Sequence, residues 1–334
     1  MLYLTTRNKI ESVTAYYTMT HDRSSDGGYF VPMQIPVISA DALAELSKLS
    51  FNDCVADILG RFFPKHLCGW NIDFSVGKNP VRLKQINQKI FVAEAWHNPE
   101  GDFSRMVENL ASMISKDICD GTATSWMWTA ARIAVLFAEF AQLRSRNVLL
   151  QDETFDISVS CANFDIPFAC WYARRMGLPI GKIICSCLQN SQLWDFRRTG
   201  NLQSSHLLAD GFEGFERLIY SALGKQEAFR YIDCCKQKRN YVLNDLYLQR
   251  LFDGIRVSVI SSHRIAPIIN GTFTSADFLM DPFTALAYAG SQDIRATEGE
   301  NGITLLISEK SPSHFADVLA KTVKVPIEEI NSRF

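Results

Sequence analysis

Apolar residues fall at Phe51, Val55, Ile58, Leu59 and Phe62, three or four positions apart, and this spacing predicts a helix over Phe51–Phe62 with one packed face. The same spacing at Phe103, Met106, Val107, Leu110 and Ile114 predicts a helix over Phe103–Ile118, and Thr129–Leu143 reads as a strongly apolar one. Ser39 is placed to cap a helix beginning at Ala40. Before these, the pattern is of short pieces. Met1–Thr5 is a small strand, Thr14–Met19 begins a helix or strand, and Asp26-Gly27-Gly28 marks a turn feeding another short strand.

Beyond residue 153 the pattern alternates between strand and helix. Strands are expected at Phe155–Ser160, Lys182–Cys187, Ile255–Ile260 and Gly302–Ile307. Between them come helices at Ile166–Met176, Ser191–Arg197, Phe215–Leu223, Lys225–Tyr231 and from Asp281-Pro282 to Ala289, and another starts in the run around Pro312. Such alternation predicts an α/β fold with a three-layer, doubly wound, mostly parallel sheet. The polar, turn-rich stretch over residues 71 to 89 is the best boundary. The expected division is an N-terminal α/β region over 1–70, a mainly helical piece over 71–150 and a large α/β domain over 151–334.

Composition narrows the function classes. Lys and Arg total 34 against 36 Asp and Glu, a formal net charge of -2, which favours neither nucleic acid nor an anionic membrane as partner. No apolar run approaches the roughly 18 residues of a membrane span, and the first residues lack a signal-peptide pattern, so a cytoplasmic protein is expected. The 9 Cys show no paired C-x-x-C units, which predicts free and mostly buried thiols rather than a zinc site. Cys185 and Cys187 share one face of their strand, and the adjacent Cys234 and Cys235 do not readily bridge each other. Glu94-Ala-Trp-His97 is a single E-x-x-H string without a second unit, so no metal is expected there.

Seven short motifs follow in order: Y-L-T-T-R-N at Tyr3–Asn8, D-G-G-Y-F-V-P at Asp26–Pro32, A-N-F at Ala162–Phe164, Y-A-R-R-M-G-L-P at Tyr172–Pro179, Q-N-S-Q-L at Gln189–Leu193, F-E-R-L-I-Y at Phe215–Tyr220 and D-P-F-T-A-L-A-Y at Asp281–Tyr288. In this order the series resembles threonine synthase, a pyridoxal-phosphate enzyme of fold type II, similar to tryptophan synthase β. The resemblance covers both ends of the chain and most of its second half. It implies a cofactor site formed by the turn Ala162, Asn163, Phe164 and Asp165, with Glu309 at the position that faces the pyridine nitrogen.

The departures from the family bear on chemistry. The family holds its cofactor aldehyde on a lysine in a G-P-T-x-x-F-K-D segment; the corresponding stretch here is D-F-S-V-G-K-N-P-V-R-L-K-Q-I-N-Q-K, with Lys78, Lys84 and Lys89 in polar surroundings. A Schiff-base lysine needs an apolar, preformed setting. The family's S-G-D-T-G loop is also missing, which implies a reduced cofactor-covering domain. G-N-F-G has become Ala162-Asn163-Phe164-Asp165, losing glycines that expose N–H groups and adding a carboxylate where a phosphate dianion would sit. Asp165 is expected instead to cap its own helix, with Pro167 in the first turn. Phe283 replaces a histidine, and Trp126 and Trp128 fill space in a substrate segment.

These departures point to a shortened, degenerate member that has lost Schiff-base chemistry: a pseudoenzyme or binding scaffold, with no cofactor and no catalytic residue expected. The alternatives are an active lyase that uses pyridoxal phosphate to convert a phosphorylated hydroxy-amino acid to threonine and phosphate, and a cofactor-free enzyme reusing the cleft. A small metabolite or a protein is the expected partner. A lost domain would bare apolar surface, with W-M-W and Ala134–Ala138 as candidates to cover it; either the chain closes over itself or a second copy does so, and a homodimer is expected.

Overall fold

A computed structural model describes residues 1–7, 12–64, 81–97, 101–113, 122–161, 164–189, 191–204, 213–299 and 302–333. The N-terminal part carries β1 (Leu2–Thr5), β2 (Val13–Thr14), α1 (Ala15–Thr20), β3 (Phe30–Pro32), α2 (Ala40–Leu46) and α3 (Phe51–Phe62). Next come β4 (Arg82–Gln85), β5 (Ile90–Glu94), α4 (Ser104–Met113) and α5 (Ser125–Ser145). The remainder runs β6 (Phe155–Ser160), α6 (Asp165–Met176), β7 (Ile180–Leu188), α7 (Gln192–Thr199), β8 (Asn201–Leu202), α8 (Glu213–Leu223), α9 (Lys225–Lys236), β9 (Tyr241–Val242), α10 (Asp245–Leu251) and β10 (Ile255–Ile260). It ends with α11 (Ile265–Ala276), α12 (Pro282–Glu298), β11 (Ile303–Ser308), α13 (Ala316–Val323) and α14 (Ile327–Ser332).

Six strands form the central sheet in the order β10-β7-β6-β11-β5-β4. Every pairing is parallel except β4 against β5. Alternate residues of one strand enter different cores: Phe91 and Ala93 pack with α3, α5 and α6, while Ile90 and Val92 pack with α11 and α13. Helices therefore cover both faces, and the expected α/β fold with a mostly parallel sheet is found. A separate small sheet, β2-β1-β3, sits at the N-terminus.

Local chemistry explains most element ends. Ser39 and Ser50 accept N–H groups of Ala42 and Asp53 and cap α2 and α3. Gly177 closes α6 with φ at 112°, and a Cβ there would meet the Ile38 carbonyl oxygen. The helix expected over Phe103–Ile118 is seen as α4, and residues 114–118 lie outside the described residues.

The division at residue 150 needs correction. Residues 82–94, assigned by pattern to a mainly helical piece, are two strands of the same sheet that residues 151–334 build. The run I-F-V-A-E is buried throughout, as a strand covered on both faces must be, and R-L-K-Q buries only Leu83, as an edge strand does. Trp126, Met127 and Ala134–Ala138 are buried within the chain itself, against α3 and α6, and Trp128 is half-buried against the same core.

Candidate functional site

Strands β6 and β11 are neighbours, but the chain leaves them toward opposite faces. After β6 it enters α6, which packs in the same core as α5; after β11 it reaches α13, whose Leu319 and Val323 lie in the other core. Ligand crevices of open α/β sheets lie outside the carboxyl ends of strands at such a switch point. Here those ends are Glu94, Ser160 and Ser308, aligned by register, with Glu309 one residue beyond. The position that the resemblance assigned to Glu309 is therefore in the crevice.

Glu309 is already engaged. Arg132, on α5, donates from Nε to Oε1 at 2.7 Å and from its terminal nitrogen to Oε2 at 2.9 Å. Both side chains are largely buried, at 10% and 18% exposure. The guanidinium also lies 5.5 Å from the ring centre of Phe103 and 5.3 Å from that of Trp128. Burial opposes the charge on Arg132, but Glu309 more than offsets it and raises the pKa above the usual guanidinium value. Bidentate pairing of this kind fixes both planes.

The space left beside the pair is small. A cavity of about 20 Å³ is lined by Ala93 of β5 and Ala95 just after it, Val135 and Leu136 of α5, and Ile166 and Ala169 of α6, closed by Arg132 and Glu309. That is room for about one water, against the roughly 300 Å³ or more of small-ligand sites. Its described lining holds no lysine. Lys84 is exposed on edge strand β4, and Lys89 lies in the turn at the amino end of β5, away from the crevice; Lys78 lies outside the described residues. These residues do not fit pyridoxal phosphate: its ring nitrogen would face a carboxylate already claimed by a guanidinium, in a space too small for the ring. A larger cleft of about 510 Å³ opens at the other end of the sheet, beside Gln151–Glu153 and Pro179, which precede β6 and β7.

The turn after β6 is partly described. Ala162 and Asn163 lie outside the described residues. Phe164 is buried, with its ring edge-on to Phe215 of α8 at 5.2 Å. Asp165 corrects the expected capping: the N-cap position of α6 is Phe164, and Asp165 is the first helical residue. Its Oδ1 accepts the N–H of Gly214 at 2.7 Å, satisfying a first-turn donor of α8, so it caps its neighbour. Gly214 permits this approach, since a Cβ there would run into the Phe164 carbonyl.

Other motif residues serve the scaffold. Arg7 and Thr6 both donate to Glu216, and Thr5 donates to Asp26 at 2.9 Å, so Y-L-T-T-R-N, D-G-G-Y-F and F-E-R-L-I-Y meet in one network. Arg217 binds the Phe30 carbonyl at 3.1 Å and Ser125 at 2.6 Å. Asp281 caps α12 and accepts from Ser308 at 3.0 Å, beside Trp96. Phe283 is half-exposed and stacks edge-on to Phe315 at 5.7 Å, and Trp126 donates to Tyr3 at 3.1 Å in the core. His97 pairs with Glu94 at 2.8 Å; among the described residues no group of three His, Cys, Asp or Glu is placed to hold a metal ion. No helix of the described residues is long and apolar enough to cross a membrane.

Sequence reasoning missed Arg132. A signal existed, because Arg132 is the one basic residue in the apolar stretch Trp126–Ala138. A cation on a helix buried on most sides needs a partner.

Comparison with known proteins agrees with this fold. Residues 2–70 match the family model for the threonine synthase N terminus. The chain is 22% identical over 226 residues to threonine synthase-like 1 of Homo sapiens, covering 64% of this chain and 30% of that protein. It is 25% identical over 261 residues to threonine synthase of Pseudomonas aeruginosa, covering 70% and 54%. The matched segments thus span well under two thirds of these relatives. Among solved structures, the PLP-bound threonine synthase from Brucella melitensis superposes with a TM-score of 0.82 at 15% identity, covering 97% of this chain and 92% of that one. The yeast threonine synthase gives 0.81 at 15% identity, covering 99% and 94%.

Proposed function

Because this chain belongs to the threonine synthase family, we propose its function from what the switch-point crevice keeps and what it has replaced: a threonine-synthase-like scaffold without Schiff-base chemistry. One observation carries the reading. The Arg132–Glu309 pair and its apolar neighbours leave a cavity of about 20 Å³ where the carboxyl ends of β5 and β11 meet α6. Opening that space for a cofactor means separating a buried ion pair, and a buried charge left alone costs about 3–5 kcal/mol.

The sequence adds support. The lysine segment and the S-G-D-T-G loop of the family have no counterpart, and Asp165 stands where the family has the last glycine of G-N-F-G. Asp165, Phe164 and the T-T-R and E-R motif pairs serve packing between elements. What remains is an α/β body, which we read as a scaffold for binding a protein or a small metabolite.

The test is spectroscopic. The purified protein, incubated with pyridoxal phosphate and freed of excess, is expected to show no visible internal-aldimine band and no borohydride-fixed label on a lysine peptide. A stable band with label on one lysine would instead support the carbon–oxygen lyase activity of the family and overturn this reading.

A further inference from the structure

Where β6 and β7 end, three thiols gather on the sheet face covered by α6. Val159 pairs with Cys185 and Ser160 with Ser186 in parallel register, and the Cys161 N–H donates to the Ser186 carbonyl at 2.9 Å. The ladder therefore continues to Cys161 beside Cys187. Side chains alternate faces along a strand, so Cys161, Cys185 and Cys187 share one face. The Cys187 Sγ lies 3.9 Å from the Cys185 carbonyl oxygen, and the thiols perturb one another: Cys185 and Cys187 push the Cys161 thiol up, while Cys161 pulls the Cys187 thiol down. Cys185 and Cys187 are buried, whereas Cys161 is half-buried at the start of the turn.

Backbone spacing decides which sulfurs can join. Adjacent strands lie about 4.8 Å apart and each residue rises about 3.3 Å. Cys161 and Cys187 therefore have Cα atoms about 5 Å apart, inside the range of roughly 4.4–6.8 Å for disulfides. Cys161 and Cys185 are diagonal, about 8 Å apart, beyond that range. Cys185 and Cys187 sit two apart on β7, with parallel Cβ directions, and joining them would pucker a strand paired on both sides.

We propose that Cys161 and Cys187 form an oxidisable pair, which hydrogen peroxide converts to a disulfide that staples β6 to β7 at the entrance of the turn. One sulfur of the pair attacks the peroxide oxygen as thiolate; the O–O bond breaks, and the thiol proton leaves with the departing hydroxide as water. This gives a sulfenic acid. The partner sulfur then attacks the sulfenic sulfur, the S–O bond breaks, and the partner's thiol proton completes the second water. Two thiols are oxidised and one peroxide is reduced to two waters. The inference stands apart from the cofactor question, since neither sulfur lines the crevice cavity.

The experiment treats the native full chain with hydrogen peroxide, blocks remaining thiols in denaturant and maps the unreduced digest by mass spectrometry. The expected result is a peptide pair joined through Cys161 and Cys187, with two thiols lost per chain and regained with reductant. In Cys161→Ser or Cys187→Ser the reaction is expected to stop at a sulfenic acid on the remaining member of the pair, trapped by dimedone. A link through Cys185 or Cys170, links between chains only, or a full thiol count after treatment would overturn the proposal. Because the peptide map uses the unsubstituted chain, its outcome does not depend on whether a variant folds.

Discussion

Breaking the Arg132–Glu309 pair from each side in turn tests what closes the crevice. At 2.7 Å and an effective dielectric of 20, two unit charges attract by about 6 kcal/mol. Desolvation opposes most of this, so the pair as a whole adds little over an apolar filling of the same volume, whereas one charge left alone is costly. Arg132→Met leaves Glu309 in an apolar crevice and also removes two cation–π contacts. With exposures of 10% and 18%, the low end of the buried-pair range applies, about 3 kcal/mol for Arg132→Met and about 3 kcal/mol for Glu309→Leu. The double variant leaves no charge and is expected within about 1 kcal/mol of the parent. The singles then sum to about 6 kcal/mol against about 1 for the double, a coupling far outside additivity. Urea unfolding followed by tryptophan fluorescence reads this directly. Single variants that each cost under about 1 kcal/mol, or a double equal to their sum, would refute the idea that the pair is a buried lock.

Glu139 of α5 is fully buried, its Oε2 has no partner among the described residues, and burial pushes its pKa up to about 8 from an ordinary 4.5. The folded chain then keeps a proton that the unfolded chain releases between those values, so stability falls as pH rises through this window, by about 2.5 kcal/mol from pH 5 to 7. Thermal or urea unfolding of Glu139→Gln should show that part of the slope gone and greater stability above pH 7; parallel pH profiles for variant and parent would contradict it. Asp165→Ala should cost about 1–2 kcal/mol by stripping the Gly214 N–H of its acceptor, and Asp165→Asn should recover much of it. An unchanged denaturant midpoint for the alanine variant would show that this link carries no stability. Gly290→Ala drives a Cβ into Ser186 Oγ where α12 crosses the sheet, and a loss of about 1–3 kcal/mol in urea melts is expected; a neutral result would mean that α12 shifts freely.

Hydrophobic periodicity and capping chemistry act over a few residues, and what depends on them was legible in the sequence. The helix at Phe51–Phe62 and the strands at Phe155–Ser160 and Ile255–Ile260 have their expected bounds, and Ser39 caps α2 as its position implies. The ordered motifs carried the fold family, because turns and element junctions demand particular residues wherever that fold is built. Partners distant in sequence were not legible. Arg132 and Glu309 are 177 residues apart, and Asp165 and Gly214 are 49 apart; nothing local to either residue names the other. Only the crossing of α6 and α13 to opposite faces makes the ends of β6 and β11 a crevice, and only the packing of α5 beneath it delivers a guanidinium there. The sequence showed a glutamate where a cofactor partner would stand, and tertiary structure decided that its partner is an arginine, because a buried carboxylate is stable only beside a charge that the fold brings to it.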